Sequence, residues 1–178
     1  MPTPRQTTAA IVQAVAASPA VSGWTVIQAQ QDAVRVAEPY ITVQPVTDEV
    51  AYGWPHEDVT DDGDDVVSIV RQARYWLTAY GADGVGALAA LGGLLLTTRT
   101  PLALALQAAG VTPQRTIGPR NLTAPYRSGM EPRAQLEVIV QYVLSTTDTD
   151  AVDVADRIVV GLTGEPDGPT FSPAFEVP

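Results

Sequence analysis

The sequence predicts an α+β fold, with a largely antiparallel sheet of about 5–6 strands packed against about three helices. Three observations predict it. In residues 133–145, Ala134, Leu136, Val138, Val140, Tyr142 and Leu144 form one wholly apolar face, and Arg133, Gln135, Glu137, Gln141 and Ser145 lie on the other. This is the pattern of a strand with one face on a core and one open to water or a neighbour. The elements also come in segregated runs (helix, three strands, two helices, then two or three strands), which favours antiparallel α+β over parallel βαβ. Finally, 178 residues suit one domain, which can hide roughly 70% of its unfolded surface without disulfides or metals.

The elements follow in order. Thr3 is placed to cap a first helix, with Pro4 at its first position, where the missing N–H costs nothing. Ile11, Val12, Val15 and Ala16 recur at helical spacing, and Ser18-Pro19 stops the run. Two β-like segments follow at residues 24–30 and 40–46; in the second, Ile41 and Val43 alternate with Thr42 and Gln44. Residues 66–80 read as a long strand whose one face holds Val67, Ile69, Ala73, Tyr75, Leu77 and Ala79, interrupted by Arg71. A helix rich in Ala and Leu spans residues 83–97. A shorter one has Thr100 as cap, Pro101 at its start and Gly110 as its left-handed stop, with Leu102, Leu106 and Ala109 on one stripe. A last strand is expected at residues 157–162.

Three segments stand outside this core. Residues 53–65 are too long for a tight hairpin loop, and six of the nine residues 57–65 are acidic. Residues 111–133 read as a loop-rich connector holding Arg115, Arg120, Arg127 and Arg133 against one acid, Glu131. Residues 164–178 hold four prolines, two glycines and both phenylalanines, Phe171 and Phe175. The expected division is a domain over 1–163 and a Pro/Gly-rich extension over 164–178.

Charge and composition exclude several functions. Ten arginines and no lysine stand against 20 acids, for a net charge of −10. So acidic a chain is unsuited to nonspecific DNA binding, where affinity comes from cations neutralising phosphates. Without lysine there is no Schiff base and no Walker lysine, and without cysteine no disulfide or thiol nucleophile. The longest apolar run, residues 85–96, is short of the ~20 residues a membrane span needs, and the expectation is a soluble, intracellular protein without a membrane partner.

Catalytic patterns are sparse. His56 is the lone histidine, and no G-x-S-x-G nucleophile turn accompanies it, so it reads as a solvated loop residue. Around Asp58, the calcium-loop pattern fails because position 3 is Thr60 and position 12 is Ile69. That leaves only an irregular acidic metal site as the basis of an enzyme reading; the bland reading is a solvated loop that also blocks a sheet edge. Gly84-Val85-Gly86-Ala87-Leu88-Ala89 matches a dinucleotide fingerprint, but no acid lies about 20 residues on and no βαβ unit surrounds it. Small residues there instead let a helix lie close to a sheet. No cofactor, catalytic residue or metal ligand is assigned.

Several motifs together carry a resemblance. Pro39-Tyr40-Ile41-Thr42, residues 74–81 with the Ala/Leu helix behind them, Asn121-Leu122-Thr123, Glu131-Pro132-Arg133-Ala134-Gln135-Leu136-Glu137-Val138 with Tyr142, and Asp156-Arg157-Ile158-Val159-Val160 with Gly164 occur in this order. The stretch from about residue 5 to 164 resembles the neck and tail-terminator (tail completion) proteins of tailed bacteriophages. The resemblance implies a structural virion protein without catalytic residues. It implies a ring, expected as a hexamer, that caps the tail tube and meets connector or stopper proteins, with DNA as passing cargo. The extension after Gly164 and the acidity of residues 53–65 depart from it. Alternatives are another head–tail joining or tail-tube protein and, in a different class, a small cytosolic enzyme with an acidic metal site.

Candidate contacts with neighbouring subunits or partners are Arg115, Arg120, Arg127 and Arg133, Gln135 and Glu137 on the polar strand face, Glu57, Asp58, Asp61 and Asp62 in the acidic segment, and Phe171 and Phe175 as anchors for a neighbour's pocket. Deletion of residues 165–178 is expected to impair ring formation or tail attachment; normal results in both assays would remove the anchor role.

Overall fold

The structure, a computed structural model, describes residues 4–29, 36–51, 53–59, 65–126 and 129–148. Helix α1 (Pro4–Ala16) is followed by a 3-10 turn at Pro19–Val21 and strands β1 (Thr25–Gln28), β2 (Tyr40–Ala51), β3 (His56–Val59) and β4 (Asp65–Tyr80). Helices α2 (Gly84–Leu96) and α3 (Pro101–Ala108) come next. Strands β5 (Val111–Asn121), β6 (Ala124–Tyr126), β7 (Gly129–Glu131) and β8 (Arg133–Asp148) complete the described chain. The main sheet runs β1-β2-β4-β8-β5, with β3 also on β4; β6 and β7 form a separate hairpin. Among the described strands, only the β1–β2 pairing is parallel. The α+β expectation is therefore met.

Three helices pack on one side of this sheet. Ile11, Ala14 and Val15 of α1, Ala87, Leu88, Leu91 and Leu95 of α2, and Leu102 and Leu106 of α3 share one core with Ile41, Val43, Ala73, Tyr75, Leu77, Ala79, Leu136, Val138, Val140 and Tyr142. Each fully buried Leu among them contributes about 1.5–3 kcal/mol. Thr100 caps α3 by accepting from the Ala103 N–H at 3.1 Å, and Gly110 takes φ +74° after it. The expected stripe of α1 shifts: Ala16 is exposed, while Thr7 and Thr8 are buried. Thr8 reconciles its hydroxyl with burial by donating to the Pro4 carbonyl at 3.0 Å, with the Tyr75 hydroxyl 3.3 Å away. Thr3 lies outside the described residues. Ser18, read as a stop, caps the 3-10 turn, its hydroxyl accepting from the Ala20 N–H.

Two segments read as loops are partly strand. Residues 56–59 pair antiparallel with residues 65–68 of β4, on the side of β4 that β2 occupies further along. β2 and β3 thus run as one long strand interrupted at Gly53, which takes φ +89°. The neighbouring Trp54 stands 93% exposed. Charge hid this strand, since none of its four side chains is buried. In residues 111–133, β5 pairs with β8 despite Pro113 and Pro119, and its register shifts at both places. Proline is tolerated there because β5 is a sheet edge, where one row of N–H groups has no ladder partner to lose.

The long strands outrun their core. Ala73, Tyr75, Leu77 and Ala79 of β4 are buried, but Val67 is 37% exposed and Ile69 half-buried. The β4–β8 pairing nevertheless continues from Tyr80↔Arg133 to Asp65↔Asp148. The strand expected at residues 157–162 and the extension at 164–178 lie outside the described residues.

The glycines of α2 provide a paired test. A Cβ on Gly84 would lie 3.1 Å from the Ala79 Cβ and 3.4 Å from the Ala134 Cβ, whereas one on Gly93 meets nothing within 4 Å. Gly84→Val is expected to cost about 1–3 kcal/mol by forcing helix from sheet. Gly93→Ala is expected to gain about 0.5–1 kcal/mol from helix propensity. Urea denaturation midpoints measure both.

Candidate functional site

The sheet has a second face, and no described helix packs over it. Along β4 and β8 side chains alternate between faces, so burying Tyr75, Leu77, Leu136 and Val138 turns Arg74, Trp76, Gln135, Glu137 and Ile139 outward. Register aligns them in rows. Gln44, Trp76, Glu137 and Ile117 lie across four strands in one row. Thr42, Thr78, Gln135 and Arg120 form the next. Arg74, Ile139 and Arg115 form the row on the other side. Most of this face is half-buried or exposed, although Thr78 and Tyr40 are buried.

The sheet therefore gathers part of the expected contact set. Arg115, Arg120, Arg133, Gln135 and Glu137 share the uncovered face. Glu137 pairs with Arg74, Oε1 to Nε at 3.2 Å. This pair is partly exposed and contributes at most about 1 kcal/mol. Arg115 and Arg120 are exposed on the edge strand β5 and make no ion pair with a described residue. Glu57 and Asp58 are exposed on β3, away from the arginines. Arg127, Asp61, Asp62, Phe171 and Phe175 lie outside the described residues.

A tighter group closes one end of the face. The rings of Tyr40 and Tyr80 stack with centroids 4.5 Å apart and planes 9° from parallel. The Arg133 guanidinium lies over Tyr80, 5.1 Å from its centroid. Two of its nitrogens meet Glu131 Oε2, one of them Nε at 3.1 Å. Glu131 is buried, and its hydrogen bond is the main reason Arg133 holds its proton above the usual arginine range, with burial opposing. The group fastens β7 to the start of β8. Next to it, Asn121 accepts from the N–H and hydroxyl of Thr123 at 2.9 and 2.7 Å, shaping the turn from β5 into β6. Arg74, Trp76 and the tyrosine stack add to the expected contact set, and the alternation of 74, 76, 78 and 80 carries their signal in the sequence.

Patterns set aside as weak chemistry meet physical obstacles. His56 is exposed and makes no hydrogen bond to a described residue. Asp83 lies against Gly86 at the start of α2, where a Cβ on Gly86 would fall 2.7 Å from Asp83 Oδ1. A carboxylate in that place repels a phosphate. Gly84 provides the close helix–sheet approach expected of the small residues. Among the described residues, no group of three or more His, Asp or Glu side chains could hold a metal. No single described helix is long and apolar enough to cross a membrane.

Comparison with known proteins gives one assignment. Residues 6–167 match the family described as phage neck terminator protein. No curated protein matches the chain.

Removing Arg133 would take a cationic partner from the buried Glu131 carboxylate. Arg133→Ala is expected to lower stability by about 2–3 kcal/mol and Glu131→Gln by less. A double-mutant cycle read by denaturant unfolding should give a coupling of at least about 1 kcal/mol.

Proposed function

Since the chain belongs to the phage neck terminator family, we propose that its copies close into a ring that ends the tail tube and joins it to the connector, with the genome passing through the lumen. The protein acts by assembly and not by catalysis, at the junction of neck and tail in the virion, after assembly in the host cytoplasm. The observation that carries this reading is the four-strand face opposite the helices. Trp76 and Ile139 lie there among Arg74, Gln135 and Glu137. Apolar and aromatic patches ringed by paired charges are the composition of protein–protein interfaces.

The charge suits a conduit. Six copies at −10 each would bear −60, and like-charge repulsion keeps DNA from adhering to a wall that shares its sign. Arg133, Gln135 and Glu137 are proposed contacts with a neighbouring subunit or tail protein. Phe171 and Phe175 are proposed anchors in a neighbour's pocket.

The purified protein should show six times its 18.8 kDa chain mass by light scattering and a ring by negative stain. A chain that stays monomeric alone and in the presence of tail tubes would overturn the ring.

A further inference from the structure

The sheet path ends at β5 on one side and at β1 on the other, and β3 forms a further, local edge on the side of β1 at the far end of β4; β5 and β3 differ in charge. One edge is β5, with Arg115 and Arg120 exposed and without an ion pair to a described residue. The acids nearest them on that face are engaged, Glu137 by Arg74 and Glu131 by Arg133. At the opposite side of β4 lies β3, where Glu57 and Asp58 are exposed and meet no described cation. In sequence, residues 60–65 then add four more acids.

Both edges discourage ordinary strand addition. β5 has Pro113, Pro119 and two register shifts, and β3 presents charge. A contact between such edges is made by side chains. Because the two patches stand on opposite edges of one sheet, a two-fold axis cannot match both at a single interface. A head-to-tail contact can match them, and it repeats from copy to copy until the ring closes.

We infer that the arginine edge of one copy, Arg115 and Arg120, seats the acidic edge of the next, Glu57 and Asp58. This rests on the ring reading above and specifies its interface. It also fixes a stagger. Glu57 and Asp58 pair with Val67 and Val66 of β4, whereas Arg115 and Arg120 stand level with Arg74 and Thr78 through β8. Neighbours are thus displaced by seven to twelve residues along the strands, about 23–40 Å.

Charge exchange tests the pairing. Sedimentation velocity at 50 mM and 1 M NaCl would compare the wild type with Arg115→Glu/Arg120→Glu, with Glu57→Arg/Asp58→Arg, and with the chain bearing all four changes. Each two-site variant should associate at least about tenfold more weakly at low salt. The four-site chain, and an equimolar mixture of the two variants, should regain wild-type assembly, and high salt should weaken every assembly. Two-site variants that assemble like the wild type would overturn the pairing and leave the ring standing. A wild type monomeric at both salts would overturn the pairing as a self-sufficient contact. Whether that chain completes tails in infected cells then decides the neck assignment separately.

Discussion

The pairing of β4 with β8 is the constraint on which the rest of the molecule depends. It runs unbroken from Tyr80↔Arg133 to Asp65↔Asp148, joining parts of the chain far apart in sequence. β2 attaches to one side of this pair and β5 to the other, and their inward side chains give the helices their seat. Tyr75, Leu77, Leu136 and Val138 must all face that seat. A one-residue slip of β8 would turn Gln135 and Glu137 into the core and Leu136 and Val138 to water, so the register is strongly fixed. Such distant pairing also incurs its loop-closure entropy before most contacts form, which makes folding slow relative to a helical bundle of the same size.

Elements whose local pattern agreed with their tertiary role were legible in the sequence. β8 alternates cleanly because it is central, with one face on the core. α3 was marked by Thr100, Pro101 and Gly110, whose preferences act within a turn of chain. β3 and β5 carry loop-like sequences for a shared reason: both lie at edges, where little is buried and the residues that prevent misassociation look like loop residues. Glu57 and Asp58 concealed one strand, Pro113 and Pro119 the other. The uncovered face was half legible. Gln135 and Glu137 followed from alternation in β8, but their neighbours across the sheet needed register, which distant strands do not declare. The Tyr40–Tyr80 stack joins residues forty apart and rests on that same register.

Charge follows the architecture. Residues 66–145, which form most of the described sheet and two of its helices, hold seven arginines and three acids, a balance of +4. The remainder holds three arginines and 17 acids, a balance of −14. A strongly acidic protein thus has a cationic centre. The two arginines there that pair with described carboxylates, Arg74 and Arg133, have structural partners within the sheet. Arg115 and Arg120, at its margin, remain available to another molecule.

The offset between β3 and β5 has a geometric consequence for any closed assembly in which those edges meet. Each copy would be shifted along its strands relative to the last. A circuit of identical shifts returns to its starting height only if the strands lean away from the axis of the circuit; upright strands would climb into a spiral. The same relation between shear and tilt governs the closing of a β-barrel. With β3 against one end of β4 and β5, across β8, level with the other, the fold sets a pitch, and only one inclination of the subunit converts that pitch into a level rim.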